Sequence, residues 1–108
     1  MAEAKTLYVS DLDGTLLNQN AALSEYTKKA LNKLISGGIN FTVATGRTID
    51  ATKKIMADIE LNIPIISFHG AIIYDVKQKS HIKVYWFASE AVKNIVTVLK
   101  SHNVSALM

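Results

Sequence analysis

The sequence predicts an α/β fold built on a parallel sheet, in which short apolar strands alternate with amphipathic helices. Three apolar runs rich in strand-forming residues lie at 5–10, 39–44 and 65–68, and each ends in polar residues or glycine. The two stretches between these runs carry apolar residues at helical spacing. Because strand–helix–strand connections within one sheet are right-handed, the three strands are predicted to be parallel.

The first strand, residues 5–10, is predicted to be buried, and a helix follows it after a polar loop. Ser24 is the predicted N-cap of that helix, since a serine hydroxyl can accept from the free N–H groups of the first turn. Glu25 then lies near the positive end of the helix dipole, and Gly37-Gly38 predicts the C-terminal end. The apolar stripe of this helix consists of Ala30, Leu31, Leu34 and Ile35.

The second strand, residues 39–44, leads through the loop 45–48 into a second helix with Asp50 in its first turn. The third strand, residues 65–68, ends in His69-Gly70. The apolar stripe of the second helix consists of Ile49, Ile55, Met56 and Ile59.

After Gly70 the pattern changes from strand–helix alternation to a predicted antiparallel hairpin. Two strand-like runs, residues 71–75 and 81–87, are joined by the polar segment 76–80. Ser89 is then predicted to cap a final helix, and residues 104–108 to begin another strand. The apolar face of the final helix consists of Val92, Ile95, Val96 and Leu99.

The composition limits the class of protein. The chain has 108 residues, of which 49% are hydrophobic and 19% charged, which is typical of one globular domain or of part of a larger one. There is no apolar run of about 18 residues, no secretory signal and no cysteine, so we expect a cytoplasmic protein with no membrane partner and no disulfide framework.

The net charge of +3 comes mainly from lysines, and Arg47 is the only arginine. The lysines are spread over predicted helix faces and the hairpin. A nucleic-acid surface would favour arginines interleaved with aromatic residues. The sequence therefore favours a solvated lysine surface and no nucleic-acid partner.

The chemically informative residues follow the three predicted parallel strands. The carboxyl ends of parallel strands lie at one edge of the sheet, where ligands bind, so the three groups of residues should converge. These groups are Asp11 with Asp13, Thr45 with Gly46 and Arg47, and His69 with Gly70.

Two carboxylates directly after an apolar strand predict a cation and acid–base or nucleophilic chemistry. Asp11 leaves the strand first and is a candidate nucleophile toward phosphorus. Asp13 is a candidate to protonate a leaving alkoxide and later to activate water. Mg²⁺ is the expected cation, because it takes one or two carboxylates together with phosphate oxygens and water. Gly14 permits a tight turn that exposes N–H groups to a phosphate.

The acidic turn has two simpler interpretations. A calcium loop that starts at Asp11 would need an acid or amide, a glycine and a glutamate at positions that hold Thr15, Leu16 and Ala22, so it is excluded. A solvated acidic turn stays open.

The second and third strand ends each allow two interpretations. Thr45 beside Gly46 offers a hydroxyl and an N–H group to an anion, or else Thr45 simply caps the following helix. Arg47 can hold a phosphate, or pair with an acid on a loop. His69 can donate to a substrate, or be an ordinary turn residue.

Three stretches resemble motifs of one protein family. Residues 11–17, Asp-Leu-Asp-Gly-Thr-Leu-Leu, resemble the first motif of the haloacid dehalogenase-like hydrolases. Ala44-Thr45-Gly46-Arg47 is similar to the second motif of their Cof-type branch, and residues 66–75 to that branch's third-strand signature. The resemblance implies a Rossmann-like core and Mg²⁺-dependent hydrolysis of a small phosphorylated metabolite of the sugar-phosphate kind, through an aspartyl-phosphate.

By position, the resemblance implies that Asp11 is the nucleophile and a magnesium ligand. It implies that Asp13 is the general acid/base and gives its backbone carbonyl to the metal, and that Thr45 binds phosphate. The branch usually has asparagine where this chain has His69. A receiver-like phospho-acceptor was also considered, but its acceptor aspartate would lie at the end of the third strand, where this chain has His69.

The resemblance also implies a division of the chain, with residues 1–80 in the N-terminal part of the core and residues 81–108 at the start of an α/β cap. The family's later lysine and acidic metal motif follow the cap, and this chain ends before both. We therefore expect it to be weakly active or inactive alone. The alternative is a fragment that binds phosphate or Mg²⁺ without turnover, or that self-assembles. In the family the first strand is central, so here its far side should be an open apolar edge that a homo-oligomer would cover.

Overall fold

The computed structural model describes residues 6–105 of the chain. Short apolar runs form the strands, amphipathic runs form the helices, and an irregular turn at Leu12–Leu16 follows the first strand. In chain order the regular elements are β1 (Leu7–Ser10), α1 (Glu25–Ser36), β2 (Asn40–Val43), α2 (Ile49–Ile55), β3 (Ile65–Ser67), β4 (Ile72–Asp75), β5 (Ser80–Val84) and α3 (Ser89–Ser101).

The predicted parallel arrangement of the first three strands is confirmed. β1 pairs with β2 in parallel from Leu7 opposite Asn40 to Ser10 opposite Val43. β3 joins this pair through one parallel bridge, between Ala44 and Ile66. The α/β class therefore follows from the strand–helix alternation, although the contact between β2 and β3 is much shorter than that between β1 and β2.

The predicted hairpin is also present, and it extends the sheet from β3. β4 pairs antiparallel with both β3 and β5. The Asp75 carboxylate accepts from the N–H groups of Lys77 and Gln78 at 2.9 and 3.0 Å, which closes the turn. β5 ends at Val84, before the predicted end of the second run at residue 87. Since β5 is hydrogen-bonded to β4, the sheet continues across residue 80, and the domain division there stays a prediction.

The start and end of α1 are as predicted. The Ser24 hydroxyl oxygen accepts from the N–H of Thr27 at 3.1 Å. The helix ends at Gly37, and Gly38 has a φ of +105°, a conformation that glycine adopts without strain. Leu31 and Ile35 are buried, but Leu34 is 53% exposed, so the predicted stripe is wrong at that position.

The other two helices begin at different caps from those predicted. Thr48 caps α2 by accepting from the N–H of Ala51 at 3.3 Å, so the interpretation of Thr45 as the cap is wrong. α3 is preceded by Ala88 as the N-cap, and Ser89 is the first residue of the helix rather than its cap. Of the strand predicted at 104–108, residues 104 and 105 have no regular structure, and 106–108 lie outside the described residues.

The core draws its buried residues from α1, β2, β3 and the segments that connect the elements. Its most deeply buried apolar members are Leu12, Val43 and Ile65, each with no exposed surface. Further members come from α1 and from the segment after α2. These include Leu31, Ile35, Met56, Ile59 and Leu61.

β1 differs from the prediction of a buried strand. Leu7, Tyr8 and Val9 are 47–54% exposed, because β2 is the only strand that pairs with β1 among the described residues. The expectation of an open apolar edge is met, and residue 5 lies outside the described range. Within residues 6–105 no helix has the length and apolar character of a membrane span.

Candidate active site

The turn after β1 presents the Asp11 carboxylate at the end of the strand. One oxygen of this carboxylate accepts from the N–H of Leu12 at 2.7 Å, and the Leu12 side chain is fully buried in the core. Leu17 N–H donates to the Leu12 carbonyl at 3.0 Å and closes the turn. Gly14 has a φ of +75°, so this turn needs glycine for its backbone conformation. The buried Leu12 side chain therefore fixes the position of the Asp11 carboxylate.

The loop after β2 is joined to β3 and to the loop after β3 by three backbone hydrogen bonds. Thr45 N–H donates to the Ile66 carbonyl at 3.0 Å, and His69 N–H donates to the Thr45 carbonyl at 3.0 Å. Phe68 N–H donates to the Arg47 carbonyl at 2.9 Å. The N–H of Thr45, predicted as an anion donor, is thus bonded within the protein, and that part of the prediction is wrong.

The Thr45 hydroxyl is in a better position to bind a ligand. The residue is only 6% exposed, and its oxygen accepts from the N–H of Arg47 at 3.1 Å. No acceptor for the hydroxyl hydrogen exists among the described residues, so this hydrogen is available to an oxygen in the cleft. The Gly46 N–H likewise makes no hydrogen bond within residues 6–105.

His69 sits in an unusual backbone segment. Phe68, His69 and Gly70 have φ values of 51°, 54° and 90°, which is the left-handed region for three successive residues. The His69 ring lies directly against the α-carbon of Gly46, and a Cβ added there would overlap the ring. Glycine at position 46 is therefore explained by the close approach of an imidazole from the next loop.

Arg47 pairs with Asp13 through two hydrogen bonds. Its Nη2 donates to Asp13 Oδ1 at 2.7 Å and its Nε donates to Oδ2 at 2.9 Å. The hydrogen bond from Arg47 holds the pKa of Asp13 below its usual value, and the same contact raises the pKa of the guanidinium. Arg47 therefore pairs with an acid on a loop, which is one of the two interpretations that its sequence position allows.

Most of the predicted site residues meet around one open cleft of about 390 Å³, a volume within the range of small-molecule sites. Asp13, Gly14 and Arg47 do not line it, although they belong to the same end of the sheet. The residues that line the cleft are Asp11, Ala44, Thr45, Gly46, Ile66, His69 and Gly70.

Two features of the site were not predicted. They are the identity of the loop acid that pairs with Arg47, which is Asp13, 34 positions earlier in the chain, and the contact between Gly46 and the His69 ring. The first could have been found by asking which acid the single arginine reaches. The second has no sequence signal, because it depends on the left-handed backbone at His69.

The site offers ligands of the type that magnesium prefers, but the set of ligands is incomplete. Among residues 6–105 no three His, Cys, Asp or Glu side chains form a group that could hold a metal. The Asp11 carboxylate has one oxygen without a partner in this range, whereas Arg47 occupies both oxygens of Asp13. Mg²⁺ binds through one or two carboxylates with water and phosphate oxygens, so Asp11 is the ligand this chain can offer most readily.

Known proteins resemble the chain in sequence. A family model of haloacid dehalogenase-like hydrolases matches residues 8–108. The 5-amino-6-(5-phospho-D-ribitylamino)uracil phosphatase YwtE of Bacillus subtilis is 36% identical over 94 residues, covering 87% of this chain and 32% of the relative. YitU, a phosphatase of the same name from that organism, is 30% identical over 99 residues, covering 91% of this chain and 37% of the relative.

Solved structures share the fold. A haloacid dehalogenase-like hydrolase from B. subtilis has a TM-score of 0.77 at 30% identity, over 90% of this chain and 34% of that chain. TM0651 from Thermotoga maritima has a TM-score of 0.72 at 31% identity, over 89% and 36% of the two chains. The chain thus spans about a third of the length of these relatives. On the match over residues 8–108, it belongs to the haloacid dehalogenase-like hydrolases, in the Cof-type branch that its motifs resemble.

Proposed function

We propose that this chain supplies the nucleophile-bearing part of a Mg²⁺-dependent phosphomonoesterase that works through an aspartyl-phosphate. The observation that carries the proposal is that the Asp11 carboxylate shares one cleft with Thr45 and Gly46. A free carboxylate oxygen on one side and hydroxyl and N–H donors on the other suit a phosphate, because donors aimed at its oxygens stabilise the charge that develops on them.

In the first step, a carboxylate oxygen of Asp11 attacks phosphorus. A bond forms between that oxygen and phosphorus, the ester P–O bond breaks, and the alcohol leaves after it gains a proton. In the second step, water attacks the phosphorus of the aspartyl-phosphate. Inorganic phosphate leaves and the Asp11 carboxylate is regenerated.

The environment of Asp13 favours one half of the role proposed for it. Because the Arg47 pair keeps Asp13 ionised, this carboxylate is suited to accept a proton from the attacking water. To protonate the leaving alcohol, Asp13 must first gain a proton, which requires the pair with Arg47 to open. We therefore expect Arg47 to slow the first step, in which Asp13 gives a proton, and to favour the second, in which it accepts one.

The metal would be held by the Asp11 carboxylate and, as the family resemblance implies, by the backbone carbonyl of Asp13. When bound, Mg²⁺ supplies positive charge that offsets the repulsion between a carboxylate nucleophile and a phosphate anion. The remaining ligands and a phosphate-neutralising lysine would come from the part of the relatives that this chain does not span. The chain alone should therefore be weakly active or inactive.

The substrate class is a small phosphorylated metabolite. Two similar proteins carry the name 5-amino-6-(5-phospho-D-ribitylamino)uracil phosphatase, so phosphate esters of polyols are the first compounds to test. Residues 81–108 are proposed to begin the cap that selects among them. We propose a cytoplasmic location.

The proposed intermediate can be tested without turnover. The chain is incubated with acetyl phosphate and Mg²⁺, quenched in acid, and its peptides are examined by mass spectrometry. Because the chain lacks part of the proposed site, we expect only a small fraction of it to carry one added phosphoryl group on Asp11, with no adduct in Asp11→Asn and none when EDTA replaces Mg²⁺. An adduct that persists in Asp11→Asn would remove Asp11 as the nucleophile.

A second candidate function rests on β1. Its apolar residues Leu7, Tyr8 and Val9 lie half-exposed beside a strand edge that no strand within residues 6–105 pairs with, which favours pairing with another strand. In this second function the chain is not catalytic, and it self-assembles so that this edge is buried between copies. Light scattering that shows a monomer at all concentrations would contradict this second function.

A further inference from the structure

The charges around the cleft are unbalanced. Its only acid among the described residues is Asp11. The nearest guanidinium, on Arg47, does not line the cleft, and Asp13 already neutralises it through two hydrogen bonds. His69 is therefore the only side chain lining the cleft, within residues 6–105, that can carry a positive charge.

The backbone holds His69 in place while its ring is left without a partner. Its N–H donates to the Thr45 carbonyl at 3.0 Å, and the ring lies against Gly46. No hydrogen bond to either ring nitrogen is formed by the described residues. A left-handed conformation at a non-glycine residue costs free energy, and it persists here because the hydrogen bonds between the two loops hold it.

We propose that His69 is a proton-dependent anion ligand, so that the phosphate group of the substrate binds more tightly when the imidazole is protonated. The inference rests on the proposed function only in taking that anion to be the substrate phosphate. A protonated imidazole offers a charge-assisted hydrogen bond, about twice as strong as a neutral one. Histidine is the side chain that ordinarily changes charge between about pH 5 and 8.

The other charged groups near His69 do not account for a change in anion affinity with pH. The charged groups on the neighbouring loops are Asp11 and the Asp13–Arg47 pair. Carboxylates and guanidinium groups ordinarily keep their charge between about pH 5.5 and 7.5. A change in anion affinity over this interval therefore reports on the imidazole, provided that the anion itself keeps its charge.

Sulfate is the appropriate probe, because a phosphate monoester itself titrates near pH 6 whereas sulfate stays a dianion. Sulfate is titrated into the 108-residue chain at constant ionic strength, and the backbone amide signals of Thr45 and Gly46 are followed by NMR. The variants are His69→Asn, since asparagine tolerates the left-handed backbone, and His102→Asn as a control at the distant end of α3.

We expect wild-type chain and His102→Asn to bind sulfate about fivefold more tightly at pH 5.5 than at pH 7.5. His69→Asn should bind equally at both pH values. The His69 ring signals of the wild-type chain should also shift when sulfate is added at pH 5.5, which a purely structural role would not cause.

The outcomes separate this inference from the proposed function. Equal sulfate affinity at both pH values in the wild-type chain overturns the role of His69 and leaves the anion site intact. A pH dependence that survives in His69→Asn does the same. No sulfate binding at either pH contradicts the anion site itself, and with it both proposals.

Discussion

The contact between Gly46 and His69 gives the sharpest test of the structure, through the substitution Gly46→Ala. The added Cβ overlaps the imidazole, whose ring atoms are the nearest neighbours of that position. The ring must then leave Gly46 or the loop must shift, and introducing a methyl group into occupied space typically costs about 1–3 kcal/mol. Because the ring is the exposed end of a side chain, we expect about 1 kcal/mol, at the low end of this range.

Without the ring, the same substitution should have the opposite sign. The φ of Gly46 is not in the left-handed region, so alanine is compatible with its backbone. Replacing glycine by alanine at a compatible position stabilises by about 0.4–1 kcal/mol, because the unfolded chain loses freedom. In a His69→Ala background, Gly46→Ala should therefore stabilise the protein. The double-mutant cycle should give a coupling free energy of about 1.5–2 kcal/mol.

Urea unfolding of the four proteins measures this coupling from the shift in midpoint at constant slope. Gly38→Ala is the matched control, since Gly38 has a φ of +105° and no atom within 4 Å of an added Cβ. Its cost comes from the backbone alone and should be the same with or without His69. Equal effects of Gly46→Ala in both backgrounds would refute the reasoning, because the ring could not then lie against Gly46.

Four further predictions follow from the site and from the open edge. The pKa of Asp13 is lower in the folded state than its usual value of 3.8. The pair with Arg47 therefore contributes fully to the stability of the fold when the pH is above 3.8, and this contribution is lost as the pH falls through the lower pKa of the folded state. Arg47→Gln should accordingly lower the urea midpoint at neutral pH and cease to differ from wild type in strong acid, whereas a difference that persists there would contradict the ion pair. Thr48→Ala should destabilise by about 1 kcal/mol as the loss of an N-cap. Thr45→Val should instead abolish sulfate binding measured by NMR, and full binding in Thr45→Val would exclude its hydroxyl as a donor. Val9→Lys places a charge on the exposed strand β1 and should reduce self-association in light scattering, with Tyr26→Lys at an exposed apolar position of α1 as a control that leaves it unchanged.

The sequence predicts the convergence of the three strand ends because that feature depends on general rules. Alternation of strands with crossover helices makes the strands parallel, and parallel strands bring their carboxyl ends together. Asp11, Thr45 and His69 therefore meet around one cleft without any detailed geometry being known in advance. The Ser24 cap is predictable for a similar reason, since it depends on neighbours within one turn.

What the sequence leaves open depends on contacts between distant segments. Both Thr45 and Thr48 precede the second helix, and local pattern does not tell which of them caps it. A contact with β3 determines which threonine is the cap. The Ile66 carbonyl accepts from the N–H of Thr45, which extends the strand pairing to Thr45 and leaves Thr48 as the cap. The exposure of β1 likewise depends on which strands lie beside it, which no property of its own residues determines.

The single bridge between Ala44 and Ile66 gives the cleft a mechanical role. This is the one strand bridge between the parallel pair β1–β2 and the antiparallel sheet β3–β4–β5 among the described residues. Hydrogen bonds from His69 and Phe68 to the loop after β2 add to the joint, and the cleft lies directly beside it. A ligand that touches Asp11 on one side and His69 on the other would act as a clamp across the joint between the two sheets. Occupancy of the site and cooperativity of unfolding would then rise together, so that amide hydrogens on both sides of the joint exchange more slowly with solvent when the ligand is bound.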